Sequence, residues 1–267
     1  MKRFWSEVRV AVQDGGWGIE LDTKPLKTPA REALSVPTEA LAEAIKSEWS
    51  EMVGEIDPRA MPLTGLANAA IDRVAPNVTL FASNLAKYAE ADLFCYRAEG
   101  PAGLVKWQSA EWDAMLGWAR RRFDVDFVVT NAIVHAPQPP ATVARLSHEV
   151  AVLDAYRLAA LSPLVTIGGS LVAALAVVEG AMLLDTIWSA VSLDERWQIE
   201  VWGDDHEAVA SLEHRRADYA AAARFISLLR YPPGRGRRRR DRPGASASIA
   251  RRRGSRGHRR GIRLRPR

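Results

Sequence analysis

The chain has 267 residues, 48% hydrophobic and 26% charged, enough to bury a sizeable core as one large domain or two small ones. Its formal charge of +5 hides two opposite parts: residues 230–267 hold 16 Arg against one acidic residue, Asp241, whereas residues 1–229 carry 21 basic and 31 acidic side chains, a net of −10. Cys95 is the only cysteine, which excludes an intramolecular disulfide framework and fits a reducing compartment.

The N-terminus, Met-Lys-Arg-Phe-Trp-Ser-Glu, has neither the apolar run of a secretory signal nor the long acid-poor stretch of a transit peptide. A bacterial cytoplasmic protein is the expectation. Val8 to Val12 alternates as a half-buried strand, Asp14-Gly15-Gly16 signals a turn, and Trp17 to Leu21 alternates again, which reads as a hairpin. Two more short strands are expected at 26–28 and 33–36, between Pro25, Pro29 and Pro37. After Pro37 the period changes. Leu41, Ile45, Trp49 and Met52 recur at helical spacing, with Thr38 as N-cap.

From Leu63 onward the composition is helical, with helices expected at about 64–74, 77–91, 104–122, 140–158, 168–184, 192–202 and 205–229. Val125 to Val129 reads as a lone strand and Pro137 to Pro140 as a linker. The longest apolar stretch, Leu164 to Val178, spans 15 residues, short of the roughly 20 that a membrane helix needs. It reads as a buried core helix. The fold class is therefore α+β: a small sheet-and-helix domain over 1–62, a larger helical domain over 63–229, and an Arg-rich tail over 230–267. That tail is almost free of apolar residues and cannot bury enough surface to order itself. Its 16 Arg and no Lys fit either a basic arm for nucleic acid or anionic lipid, or a GC-rich gene read in a shifted frame.

No catalytic signature emerges. His206 and His214, the pair close in sequence, sit two turns apart, about 12 Å at the helical rise, too far to share one ion whose ligands lie at about 2.1 Å. Neither a metal nor a cofactor is expected. Gly168-Gly169-Ser170 lacks the Lys of a phosphate loop and reads instead as a close approach of two helices. Cys95, between Phe94 and Tyr96, reads as core. Trp107, Trp112 and Trp118 cannot all face one core, since 112 lies about 140° round the helix from 107. Either this helix is buried on two faces or one of the three indoles is exposed as a partner anchor. Ser192-Leu193-Asp194-Glu195 fits a capping box in which Glu195 reaches back to the Ser192 amide, leaving Asp194 with only a helix-dipole role.

Short motifs run through the chain: Leu21 to Pro29, Val36 to Ala42, Glu48-Trp49, Met61 to Thr64, Asp92 to Ala98, Glu111-Trp112-Asp113, and Gln198 followed by Trp202-Gly203. In this order they resemble the family of assembly chaperones for the F-type ATP synthase known as Atp-twelve, over about residues 4–229. The resemblance implies a non-enzymatic protein that binds the unassembled α subunit of the catalytic head until β replaces it. It also implies that an acidic residue at the start of the helix before Gln198, here Asp194 or Glu195, contacts the client, with Gln198, Trp202 and Glu207 beside it. Two rival readings stand. One is a hydrolase or transferase using Asp194, Glu195 or Glu207 as acid/base groups in a cleft; the other is nucleic-acid binding through the tail.

Overall fold

The early alternation resolves, in the computed structural model of the chain, into an antiparallel hairpin. β1 (Val8–Gln13) pairs with β2 (Gly16–Leu21) from Val8 opposite Leu21 to Gln13 opposite Gly16. Gly15 turns the chain at φ +87°, a left-handed value that only glycine adopts freely. β3 (Lys24–Pro25) and β4 (Ser35–Val36) each pair antiparallel with β2. β3 thus falls just ahead of the expected 26–28, where Leu26 N–H still donates to Ile19 O but Lys27 makes only an isolated bridge to Ala33. Pro25 and Pro29 offer no N–H with which to extend the ladder.

The buried side chains Val8, Ile19, Leu21 and Val36 meet α1 (Glu39–Glu51), whose Leu41, Ala42, Ile45 and Trp49 are buried in turn. Thr38 caps α1 as expected: Oγ1 accepts from Leu41 N–H and its hydroxyl donates to Leu228 O. The described residues are 2–13, 15–131, 135–203 and 205–230, and Met1–Tyr231 forms one compact unit. The expectation of a disordered tail falls almost wholly outside the described residues. Arg230, the first residue of that expected tail, is within them and donates to Val177 O and Val178 O.

The helical part begins with α2 (Pro62–Ala69), which passes through a π turn at Ala70–Val74 into α3 (Val78–Ala86). α4 (Ala102–Phe123) is ended by Asp124 in the left-handed region, at φ 52°. Beyond it lie α5 (Pro140–Ala151), α6 (Ala155–Gly168), α7 (Leu171–Glu179), α8 (Leu184–Val191), α9 (Leu193–Trp202) and α10 (His206–Leu228). Every residue from Leu171 to Val177 is buried, so α7 is the centre of the core. Among the described residues no helix is long and apolar enough to cross a membrane.

Beyond the shift of β3, three expected elements differ from those observed. The helix expected over 140–158 is two, because Asp154 accepts from Arg157 N–H and starts α6, an N-cap that a continuous helix could not satisfy. The expected 168–184 helix is likewise interrupted: Gly169 at φ +65° ends α6, Ser170 caps α7, and Gly180 at φ +64° ends α7 before α8. Gly168 alone makes the expected close approach, since a Cβ there would meet Tyr219 and Val191 at 3.3 Å. No strand forms at 125–129. Side chains satisfy that backbone instead, with the Gln138 amide bonded to both Val128 N–H and Val128 O and the Thr142 hydroxyl to Asp126 O.

Candidate functional site

Most of the short motifs hold the fold together. Glu48 accepts from Leu63 N–H, Thr64 N–H and the Thr64 hydroxyl, while the Trp49 indole donates to Thr64 Oγ1. Glu48-Trp49 and Met61-to-Thr64 are therefore one device that docks α2 onto α1. Trp49 also packs against Trp5 at 5.1 Å between ring centres. Asp92, wholly buried, accepts from Phe94 N–H, the Ser170 hydroxyl and Val172 N–H, at 3.1, 3.0 and 2.9 Å. It thus caps the start of the core helix α7. Burial pushes its carboxyl up to about 6 against the pull of those donors. Burial likewise pushes the Cys95 thiol up to about 12, leaving no reactive thiolate at neutral pH.

The last motif, Gln198 with Trp202-Gly203, lies on α9 and its C-cap. This helix buries only Leu193 and stands as a ridge between two open clefts. On one side, against α10, a cleft of about 710 Å³ is lined by Glu195, Gln198, Ile199, Trp202, Ala208 and Arg215. On the other side, against the start of α4, a cleft of about 690 Å³ is lined by Leu104, Gln108, Asp194, Trp197, Val201 and Trp202, among others. Gln198 and Trp202 face both. Trp202 is 78% exposed and Val201 52%, so the tip of the ridge presents apolar surface to solvent, beside carboxylates on either flank.

Asp194 and Glu195 part company here. The capping box is absent: Ser192 makes no side-chain cap, and its hydroxyl donates to Trp188 O instead. Ser192 follows directly on α8 with a non-extended backbone, φ −105° and ψ 16°, whereas a capping side chain needs an extended one. Glu195 is held by Arg215 Nη1 at 2.9 Å, across the larger cleft. Asp194 takes part in no ion pair among the described residues. Its Oδ1 accepts from Gln108 Nε2 at 2.8 Å, and burial, with the nearby Glu195 charge adding to it, holds its carboxyl above the usual range. The two carboxylates, although near one another, line different clefts and do not face one shared space, as a pair acting on one substrate would. Glu207, an exposed residue in the first turn of α10, lines neither cleft.

Three residues of this region carry no motif. Trp197 is wedged over Gly103, where a Cβ would meet its ring at 2.4 Å, and it stacks edge-on with Trp107 at 5.3 Å. Arg215 neutralises Glu195. Gln108, 2% exposed, accepts from Ala98 N–H while donating to Asp194. A sequence signal for Gln108 exists: it opens the buried stripe that continues through Trp112, Met115 and Ala119, a polar residue on an apolar face. Of the three tryptophans of α4, Trp112 is buried and donates to Ala190 O, while Trp107 and Trp118 are half-buried. The exposed indole is that of Trp202 instead.

Residues 2–120 match the profile of the family described as ATP12 chaperone protein. A mitochondrial atp12 protein of Schizosaccharomyces pombe is 23% identical over 241 residues, 84% of this chain and 83% of the relative. The crystal structure of Atp12 from Paracoccus denitrificans superposes with a TM-score of 0.82 at 41% identity, covering 86% of this chain and 98% of the other. An Asp-to-Lys mutant of that protein gives the same values. A structure from Agrobacterium tumefaciens matches with a TM-score of 0.82 at 35% identity, over 86% of each chain.

Proposed function

This chain belongs to the ATP12 chaperone family, and from that premise we propose that it is an assembly chaperone of the F-type ATP synthase, holding the unassembled α subunit until β replaces it. The observation that carries this reading is the α9 ridge, with exposed Trp202 and Val201 at its tip and an open cleft on each flank. A subunit awaiting assembly exposes an apolar interface, and a holder needs an apolar patch with charge at its rim for selectivity and release. Asp194, Gln198 and Trp202 are the residues we assign to the client. Glu195, tied to Arg215, fixes the ridge, and Glu207 contributes a rim charge. We place this work in the bacterial cytoplasm, as the counterpart of the mitochondrial yeast relative.

The acid/base rival is the weaker reading, because its carboxylates are split between two clefts. Deleting the gene tests the proposal. The α subunit should become insoluble or unassembled while its transcript level holds, and normal amounts of assembled ATP synthase in the deletion strain would remove the reading.

A further inference from the structure

Asp194 differs from the other acidic side chains of the ridge in how it is held. A buried polar side chain fixes it from below: Ala98 N–H donates to Gln108 Oε1 at 2.8 Å, and Gln108 Nε2 donates to Asp194 Oδ1 at 2.8 Å. Gln108 is almost wholly buried, and both ends of its amide take part in this relay. Around the carboxylate the cleft is lined by the apolar Pro101, Leu104, Trp197, Val201 and Trp202, and among its polar members Arg97 is already paired with Asp113 at 2.8 Å. A half-buried carboxylate among apolar walls is poorly solvated, and its attraction for an arriving cation is correspondingly stronger than at an open surface. Nothing within the described residues neutralises it, whereas Glu195 one position on already has Arg215 at 2.9 Å.

Resting on the chaperone reading, we propose that the cleft between α4 and α9 receives a client segment in which an Arg or Lys is flanked by apolar side chains, with Asp194 as counter-charge and Gln108 as the residue that positions it. The cation completes an ion pair that the free protein leaves open. The flanking apolar groups cover Trp197, Val201 and Trp202 and exclude water from the pair. The clefts divide the work: the α10 side is internally neutralised and the α4 side carries the selective charge.

The test is the affinity of the full chain for recombinant, unassembled α subunit from the same host, at low and high salt. Asp194→Asn, which keeps an acceptor for Gln108, should weaken binding about tenfold at low salt and flatten its salt dependence. Gln108→Met should weaken binding severalfold with the salt dependence kept, because the carboxylate remains but is no longer aimed. Glu43→Gln, on the exposed face of α1, should bind as wild type. If Gln108→Met melts well below wild type, the Asp194→Asn arm decides alone, since that half-exposed side chain caps no helix. Equal affinity of wild type and Asp194→Asn at both salt concentrations overturns the inference while leaving the chaperone reading intact. Failure of the wild-type chain to bind any α subunit overturns both.

Discussion

Asp92 shows how a motif residue can be essential to the fold without touching a partner. Its carboxyl sits near 6 in the folded chain, against about 3.9 when unfolded, so the folded state binds more protons across that interval. The stabilising contribution is full below about pH 4 and is lost as pH rises through about 6. Urea melts between pH 4 and 7 should show this decline in the wild type and not in Asp92→Asn. Asp92→Ala should cost about 3 kcal/mol or more at any pH, because it strands the buried Phe94 and Val172 amides. Glu48 works similarly at the start of α2. Glu48→Ala removes the acceptor for two backbone amides and the Thr64 hydroxyl and should cost about 1 to 3 kcal/mol by denaturant midpoint. Neither substitution should change client affinity once the protein is folded, which separates these residues from Asp194.

The helices differ in how deeply they are anchored, and that difference should be visible in exchange. α7 buries all of Leu171 to Val177, whereas α9 buries Leu193 alone. Amide hydrogen exchange should find α7 among the slowest segments and α9 among the fastest, with α9 gaining protection when the client binds. Gly203, at φ +87° and ψ 172° between α9 and α10, has a backbone that only glycine adopts without strain. Gly203→Ala should therefore cost about 1 to 3 kcal/mol locally and loosen the ridge. The hairpin, α1 with its Thr38 cap, α4 and α10 were legible in the sequence because period and punctuation agree there. The breaks at Asp154 and Gly169 were not, since apolar residues continue through both and only a capping side chain or a left-handed glycine marks the end. At the site, Gln198 and Trp202 stand in a motif, and Asp194 or Glu195 followed from the resemblance. Gln108, the partner of Asp194, and Arg215, the partner of Glu195, could not be named, because they come from α4 and α10, 86 and 20 positions away. The capping box failed because the pattern at Ser192 matched while its backbone, directly following α8, did not.

At the scale of the whole chain, the folded unit and the Arg-rich segment should be separable. Truncation after Tyr231 should leave melting temperature and client binding unchanged, whereas truncation after Leu229 should lower the melting temperature, because Arg230 donates to Val177 O and Val178 O at the end of α7. Intact mass of the native protein reads out whether the segment rich in Arg and free of Lys is made at all. The central claim is that this ATP12-family chain holds α before assembly and surrenders it to β. Affinity capture of the chain from its own host, with the bound subunits identified by mass spectrometry, tests this most directly. The account predicts α without β, released when purified β is added. Recovery of α and β together as an assembled head, or of neither, would contradict it.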